Sequence, residues 1–163
     1  MKFEIVELED LSGSQASIYS IRLNDDSETL FEKFILENKD TFEDEVFDII
    51  ERLDLIGNQY GARRRFFKEN EGTLGDLVCA LYDSPSANLR LYCIRMGSAV
   101  IILGGGGHKP KTIRALQEDA KLTQENYLLR FISKELSLKM KEGEVFWIND
   151  YELGGNLTFE TDE

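Results

Sequence analysis

The chain's only histidine, His108, follows four glycines in the stretch "VIILGGGGHKPKT" and is itself followed by Lys109, Pro110 and Lys111. Arg90 lies upstream in "NLRLYCIRM". An imidazole has an ordinary pKa of about 6.5 and can take or give a proton near neutral pH. Guanidinium and ammonium groups can hold phosphate oxygens. An apolar run that breaks into glycines and then cations could therefore cradle a phosphate, carry proton-transfer chemistry, or simply bend. A nucleotide loop needs Gly-Lys-Ser/Thr at a fixed offset before a helix. Here the order is His-Lys-Pro-Lys-Thr, and Pro110 removes one N–H donor.

The elements that must position these residues are legible from periodicity. "KFEIVEL" alternates as a strand with Phe3, Ile5 and Leu8 on one face, and "ASIYSIRL" is its partner across the turn "EDLSGSQ". A helix with Ser27 as its cap is predicted over "SETLFEKFILENKD". A second helix carries the stripe Phe42, Val46, Ile49, Ile50 and Leu53 and is expected to stop at Gly57. Three strands follow, over residues 76–83, 89–96 and 99–104, joined by "SPSAN" and "MGS" as in an antiparallel meander. Alternation puts Arg90, Tyr92, Ile94 and Met96 on one face of the middle strand and Leu89, Leu91, Cys93 and Arg95 on the other. Arg95 is read as an ion-pair partner for a carboxylate.

Beyond the glycines, "TIRALQEDAKL" and "TQENYLLRFISKELSLKMKEG" read as two helices that break near Leu122 and Thr123. The second is given a cap at Thr123 and a packing face of Tyr127, Leu128, Phe131, Ile132 and Leu136. The tail "EVFWINDYELGGNLTFETDE" is expected to form a short strand or hairpin around Gly154 and Gly155, with loose final residues.

Composition narrows the classes. The 163 residues are 42% hydrophobic, enough for one domain with a core. No apolar run is long enough for a membrane helix, and the N-terminus lacks a signal-peptide core. A cytoplasmic protein with no membrane attachment is expected. Cys79 and Cys93 lie in apolar strand-like runs and read as buried reduced thiols. With one histidine, no metal centre or other cofactor is expected. The net charge of −12 is unevenly placed. Residues 1–56 carry 16 acids and 5 bases, residues 57–141 carry 8 acids and 14 bases, and residues 142–163 carry 7 acids and no base. A basic middle between acidic ends argues against DNA binding by the whole surface.

A helix, an antiparallel meander, an arginine on its central strand and a Gly-His-Lys cluster after its last strand together resemble the RelE/HigB-like toxin superfamily, particularly its phage-derived branch. The resemblance spans about residues 44–120 and rests on "NLRLYCIRMGSAVIILGGGGHKPKT". Tyr82 and Asp83 stand where that branch commonly carries Glu-Leu-Arg. The resemblance implies an α+β fold: N-terminal strands and helices packed on an antiparallel meander, followed by C-terminal helices. It divides the chain into a toxin-type domain over residues 1–141, with an extended acidic N-terminal part, and an acidic extension over residues 142–163.

For function, the resemblance implies the toxin of a toxin–antitoxin-like system, with an antitoxin as partner. Active members cut messenger RNA on the ribosome without a metal, by attack of the ribose 2′-OH on the adjacent phosphate. Arg90, Lys109 and Lys111 fall where the family places cations that hold the phosphate, and His108 could serve as base or acid. "ARRRFFK" adds Arg63, Arg64, Arg65 and Lys68 as RNA-backbone clamps beside stacking aromatics. The alternative within the same fold is a catalytically inactive module that binds an antitoxin or another protein. Catalysis requires Arg90, His108 and Lys109 to converge at an open concave spot. For each residue a plainer role stands beside the chemical one: glycines that permit a bend, a surface histidine, a solvated arginine run, and Phe66 and Phe67 in the core.

Overall fold

The computed structural model describes residues 1–69, 77–112 and 119–162. Strands β1 (Lys2–Glu7) and β2 (Ser17–Leu23) pair antiparallel from Phe3 opposite Leu23 to Glu7 opposite Tyr19. Helix α1 (Leu30–Asn38) follows. Its cap is Thr29, not Ser27: Thr29 Oγ1 accepts from Glu32 N–H while the Glu32 carboxylate accepts from Thr29 N–H. The reciprocal pair satisfies two donors that helix geometry leaves open, which Ser27 is too far upstream to do.

Helix α2 (Glu43–Leu55) buries Val46, Ile49 and Leu53. It does not stop at Gly57. The chain continues through one wider turn, Ile56–Tyr60, and ends at Gly61, whose φ of 75° suits a residue without Cβ. Gly57 serves packing instead: a Cβ there would lie 2.1 Å from the Leu11 carbonyl oxygen.

The meander is present as β4 (Val78–Leu81), β5 (Leu89–Met96) and β6 (Val100–His108), with the short β3 (Phe67–Lys68) beside β4. β6 is longer than predicted because Gly106, Gly107 and His108 stay paired with Leu91, Arg90 and Leu89. β6 also runs parallel to β2, which joins the N-terminal strands to the meander in one seven-stranded sheet of order β3-β4-β5-β6-β2-β1-β9, where β9 is Thr158–Glu160. The fold is therefore α+β around a mostly antiparallel sheet.

Alternation along the central strands sends side chains into two core layers. Leu91, Cys93, Ile101 and Leu103 pack with Phe31, Phe34, Val46, Ile49 and Leu53 of α1 and α2. Tyr92, Ile94, Val100 and Ile102 pack with Leu122, Leu129, Ile132 and Leu136 of a long helix, α3 (Ala120–Lys141). α3 runs unbroken through Leu122 and Thr123 and is capped by Asp119, whose side chain accepts from Leu122 N–H. Of the expected packing face, Ile132 and Leu136 are buried, whereas Tyr127 is exposed. The first part of the expected break-and-restart falls on residues 113–118, outside the described residues.

The acidic tail is built into the fold. β7 (Val145–Asn149) and β8 (Glu152–Gly155) form a hairpin, and β9 (Thr158–Glu160) pairs with β1 at the sheet edge. Through β9 the tail is thus not loose: Phe159 is buried and stacks on Phe3 at 4.6 Å between ring centroids. Among the described residues no helix is long and apolar enough to cross a membrane.

Candidate functional site

The glycine stretch is a helix-docking strip inside β6. The β5–β6 register runs from Leu91 opposite Gly106 to Cys93 opposite Leu103, so two residues of β6, Gly104 and Gly105, oppose Tyr92 alone. This bulge turns both glycines toward the helix layer. Added Cβ atoms would lie 3.0 Å from a Leu129 methyl at Gly104, 2.5 Å from a Glu125 oxygen at Gly105 and 3.2 Å from Lys121 at Gly107. At Gly106 a Cβ would fall 1.9 Å from the Arg90 carbonyl oxygen. α3 lies against Gly104, Gly105 and Gly107, and at Gly106 the β5 backbone leaves no room for a side chain. The glycines make neither a phosphate loop nor a simple bend.

The cations beyond them converge on a residue that the sequence reading gave no role. The Asp83 carboxylate, just past β4, accepts from Arg90 Nε at 3.0 Å and Nη2 at 3.3 Å, and from Lys109 Nζ at 3.0 Å. Lys68 Nζ also donates to it. The register explains the meeting. Lys68 opposes Ala80, Ala80 opposes Tyr92, and Arg90 alternates onto the face of Tyr92, so Lys68 and Arg90 share one side of the sheet end. Arg90, Lys109 and Asp83 are each less than 9% exposed. Burial alone would push the Asp83 carboxyl up, but the hydrogen bonds from Arg90, Lys68 and Lys109 outweigh it and hold the group below the ordinary carboxylate range.

The same cations pin the loop over residues 82–88. Lys109 Nζ donates to the Ser84 carbonyl at 2.8 Å, and Lys111 Nζ donates to the Ser86 carbonyl and to Asn88 Oδ1, both at 3.1 Å. From the other side, the Glu45 carboxylate of α2 accepts from the backbone N–H of Asn88 at 2.9 Å and of Leu89 at 2.8 Å. Arg52 donates to the Tyr82 carbonyl at 2.7 Å. Backbone groups that no strand ladder pairs are satisfied by these side chains.

His108 does not join the cluster. It opposes Leu89 on β5, so it takes the face of Leu89, toward α2, and its ring stacks on Phe42 at 5.3 Å. Arg90 and Lys109 lie on the other face, closed over by Asp83. The expected convergence of Arg90, His108 and Lys109 at an open concave spot is therefore not what the fold makes. A cleft beside the loop is lined by Glu45, Asp48, Arg52, Tyr82 and Asp83, and by none of those three residues.

The arginine run is exposed and locally engaged. Arg63 donates to the Tyr60 carbonyl, Arg64 pairs with Glu69 through two bonds of 2.9 and 3.0 Å, and Arg65 lies over the Phe66 ring. Phe67 is a core residue, while Phe66 is half-buried at the rim of the same layer. Arg95, expected to meet a carboxylate, donates to the Ala62 carbonyl at 2.7 Å and, without a direct ion pair among the described residues, adds its positive field to the Arg64 hydrogen bond that lowers the Glu69 pKa. Cys79 and Cys93 oppose one another across β4 and β5 as buried free thiols, with Sγ atoms 3.5 Å apart. Among the described residues no three His, Cys, Asp or Glu side chains gather as metal ligands would.

The last strand of the acidic tail, β9, stands too far off to screen the cluster. β9 stands four strand spacings from β5 in the sheet order, about 19 Å at the usual inter-strand separation, beyond the roughly 8 Å screening length of physiological salt. Asp83, from within the basic middle of the chain, does the neutralising. No protein-family model, curated protein or solved structure matches this chain.

Proposed function

We propose that the chain is a toxin-like protein of the RelE/HigB type that works by binding a protein partner, a small antitoxin or a protein of similar role, and that it does not cut RNA. Support for the toxin-like part comes from element order: two helices, then the meander, with Arg90 on the central strand and Lys109 and Lys111 at the end of the last. Support for binding over cleavage rests on one observation. Asp83 holds Arg90, Lys109 and Lys68 in a buried ion-paired cluster, while His108 stacks on Phe42 across the sheet. Phosphodiester cleavage needs cations that face the substrate and a proton carrier beside them.

The RNA-cleaving reading retains one geometric argument. Lys68, Arg90 and Lys109 surround two carboxylate oxygens much as they would surround two non-bridging phosphate oxygens. Asp83 would have to leave for RNA to enter.

Translation in a cell-free extract separates the two readings. Wild type, Arg90→Ala and His108→Ala are compared at matched concentration, with melting curves to show that each is folded. The binding reading expects translation at the control level with all three. Arrest by wild type that either folded variant relieves would overturn it in favour of the enzyme. Co-expression with the neighbouring reading frame tests the partner, with co-elution expected.

A further inference from the structure

Among the described residues, the β7–β8 hairpin carries four of the ten large apolar side chains left exposed, and nothing in the catalytic or toxin-like reading uses them. Phe146, Trp147, Ile148 and Tyr151 are 50, 42, 56 and 50% exposed. The hairpin's inward residues are accounted for: Val145 and Leu153 join the core beneath α3, and Leu153 N–H donates to the buried Tyr19 hydroxyl at 3.1 Å. The outward side is built differently. Phe146 opposes Gly154, and Cβ atoms at Gly154 and Gly155 would lie 2.5 Å from Ile148 and 3.0 Å from Phe146. Both large side chains therefore lie flat on glycine backbone and turn their other sides to water. Scattered apolar residues on a surface are ordinary, but a contiguous patch on a rigid hairpin marks an interaction site.

The charge around the patch selects the occupant. Glu142, Glu144, Asp150 and Glu152 flank the hairpin, and among the described residues none of them enters an ion pair. Residues 142–163 contain no base. Of the nearby lysines, Lys139 is held by the Thr158 carbonyl and lies over the Phe159 ring, which leaves Lys141 at the end of α3. A second copy of the chain would bring the same acids against these ones, so like charge disfavours self-association through this face. Anionic lipid is disfavoured for the same reason.

We infer that the outward face of the β7–β8 hairpin docks a protein segment carrying apolar and basic side chains together, an amphipathic Lys/Arg-bearing peptide. The apolar residues cover Phe146 and Ile148, and the cations meet the flanking carboxylates. This deepens the binding reading by giving the partner a surface and a chemistry. Its test is independent of the translation result, because it reads the hairpin directly.

Phe146 and Ile148 share the face of Gly154, whereas Trp147 opposes Leu153 on the other, so the amide chemical shifts of Phe146, Ile148 and Gly154 report on the patch. The full chain is titrated with a synthetic basic amphipathic helix, an acidic helix of identical apolar content, and oligolysine. The expected result is a saturable change in those chemical shifts with the basic helix only. Charge reversal at Glu144→Lys with Glu152→Lys should weaken it tenfold or more, as should Phe146→Ser with Ile148→Ser, and added salt should weaken it too. No shift with the basic helix, or an equal shift with the acidic one, overturns the inference. So does a shift that grows with chain concentration alone, which would identify a second copy. A shift with zwitterionic phosphatidylcholine vesicles in place of the peptide would identify a lipid surface and overturn it as well.

Discussion

Asp83 and Arg90 close on one another through two hydrogen bonds, Nε to Oδ2 at 3.0 Å and Nη2 to Oδ1 at 3.3 Å, at a buried end of the sheet. The pair turns an arginine in a catalytic-looking position into a fixed point of the fold. With Lys68 and Lys109 on the same carboxylate, it ties β3, β5 and the end of β6 to the loop over residues 82–88. A guanidinium bound on both arms has little freedom to follow a substrate, and a carboxylate with several charged donors loses much of its own desolvation penalty.

Asp83→Asn should destabilise the chain by about 3–5 kcal/mol, because the buried cations lose their shared anion. For a chain of this size the melting point should fall on the order of 10 °C. The pH dependence follows from the direction of the shift. Asp83 titrates below the ordinary value of about 3.9, so its contribution is complete above that value and is lost as pH falls through the depressed one. The gap in unfolding free energy between wild type and Asp83→Asn should be flat from about pH 7 to about pH 5 and narrow below about pH 4. Chemical unfolding across that range measures it. A gap independent of pH would mean that the ion pairs contribute nothing.

The glycine strip predicts an order of damage. Gly106→Ala drives a Cβ to within 1.9 Å of the Arg90 carbonyl oxygen, and a strand backbone cannot yield. Its cost should be about 3 kcal/mol or more. Gly105→Ala meets only the tip of Glu125, which can swing away, so about 1 kcal/mol or less is expected. Adding Glu125→Ala should relieve part of that, and a double-mutant cycle by thermal unfolding measures the coupling. Equal costs at both positions would contradict the bulge geometry.

How much of this the sequence revealed depended on the range of the interaction. The strands over Lys2–Glu7 and Leu89–Met96 and the stripe of α2 were readable because hydrophobic period is local. The parallel pairing of β6 with β2 joins Ser20 to Leu103 and has no local signature. The length of β6 was missed because glycine runs read as loops. The helix laid across Gly104, Gly105 and Gly107, and the β5 backbone against Gly106, explain why four residues without side chains stay in a strand. At the site, the face of Arg90 followed from alternation, but the role of Asp83 did not. Its partners Lys68, Arg90 and Lys109 come from three different strand ends that only tertiary register brings together.

The two thiols should be inert in the native state. Cys79 and Cys93 are 3% and 0% exposed. Burial, reinforced by the neighbouring Cys79 sulfur, raises the Cys93 pKa well above its ordinary value, so little thiolate exists to attack. Alkylation of the folded chain at mildly alkaline pH should run at least about a hundredfold slower than in denaturant. Mass spectrometry of timed aliquots gives both rates. Rapid labelling of either cysteine without unfolding would show that β4 opens readily and would refute the packing described for that strand.

Tyr19 carries the load between the hairpin and the main sheet. Its hydroxyl accepts the Leu153 N–H in a buried setting, and burial raises its pKa against the lowering effect of that same bond. Tyr19→Phe keeps the ring but leaves a buried donor without its acceptor, which costs about 1–3 kcal/mol. Because the acceptor serves the hairpin alone, the loss should be local. Amide exchange at Leu153 is expected to quicken about 5- to 30-fold, corresponding to one or two kcal/mol, while the β5–β6 ladder keeps its protection. Nuclear magnetic resonance exchange on both variants resolves the two regions. Unchanged exchange at Leu153 would show that the hairpin is held by Val145 and Leu153 packing alone, and exchange quickened everywhere would show that it unfolds only with the whole domain.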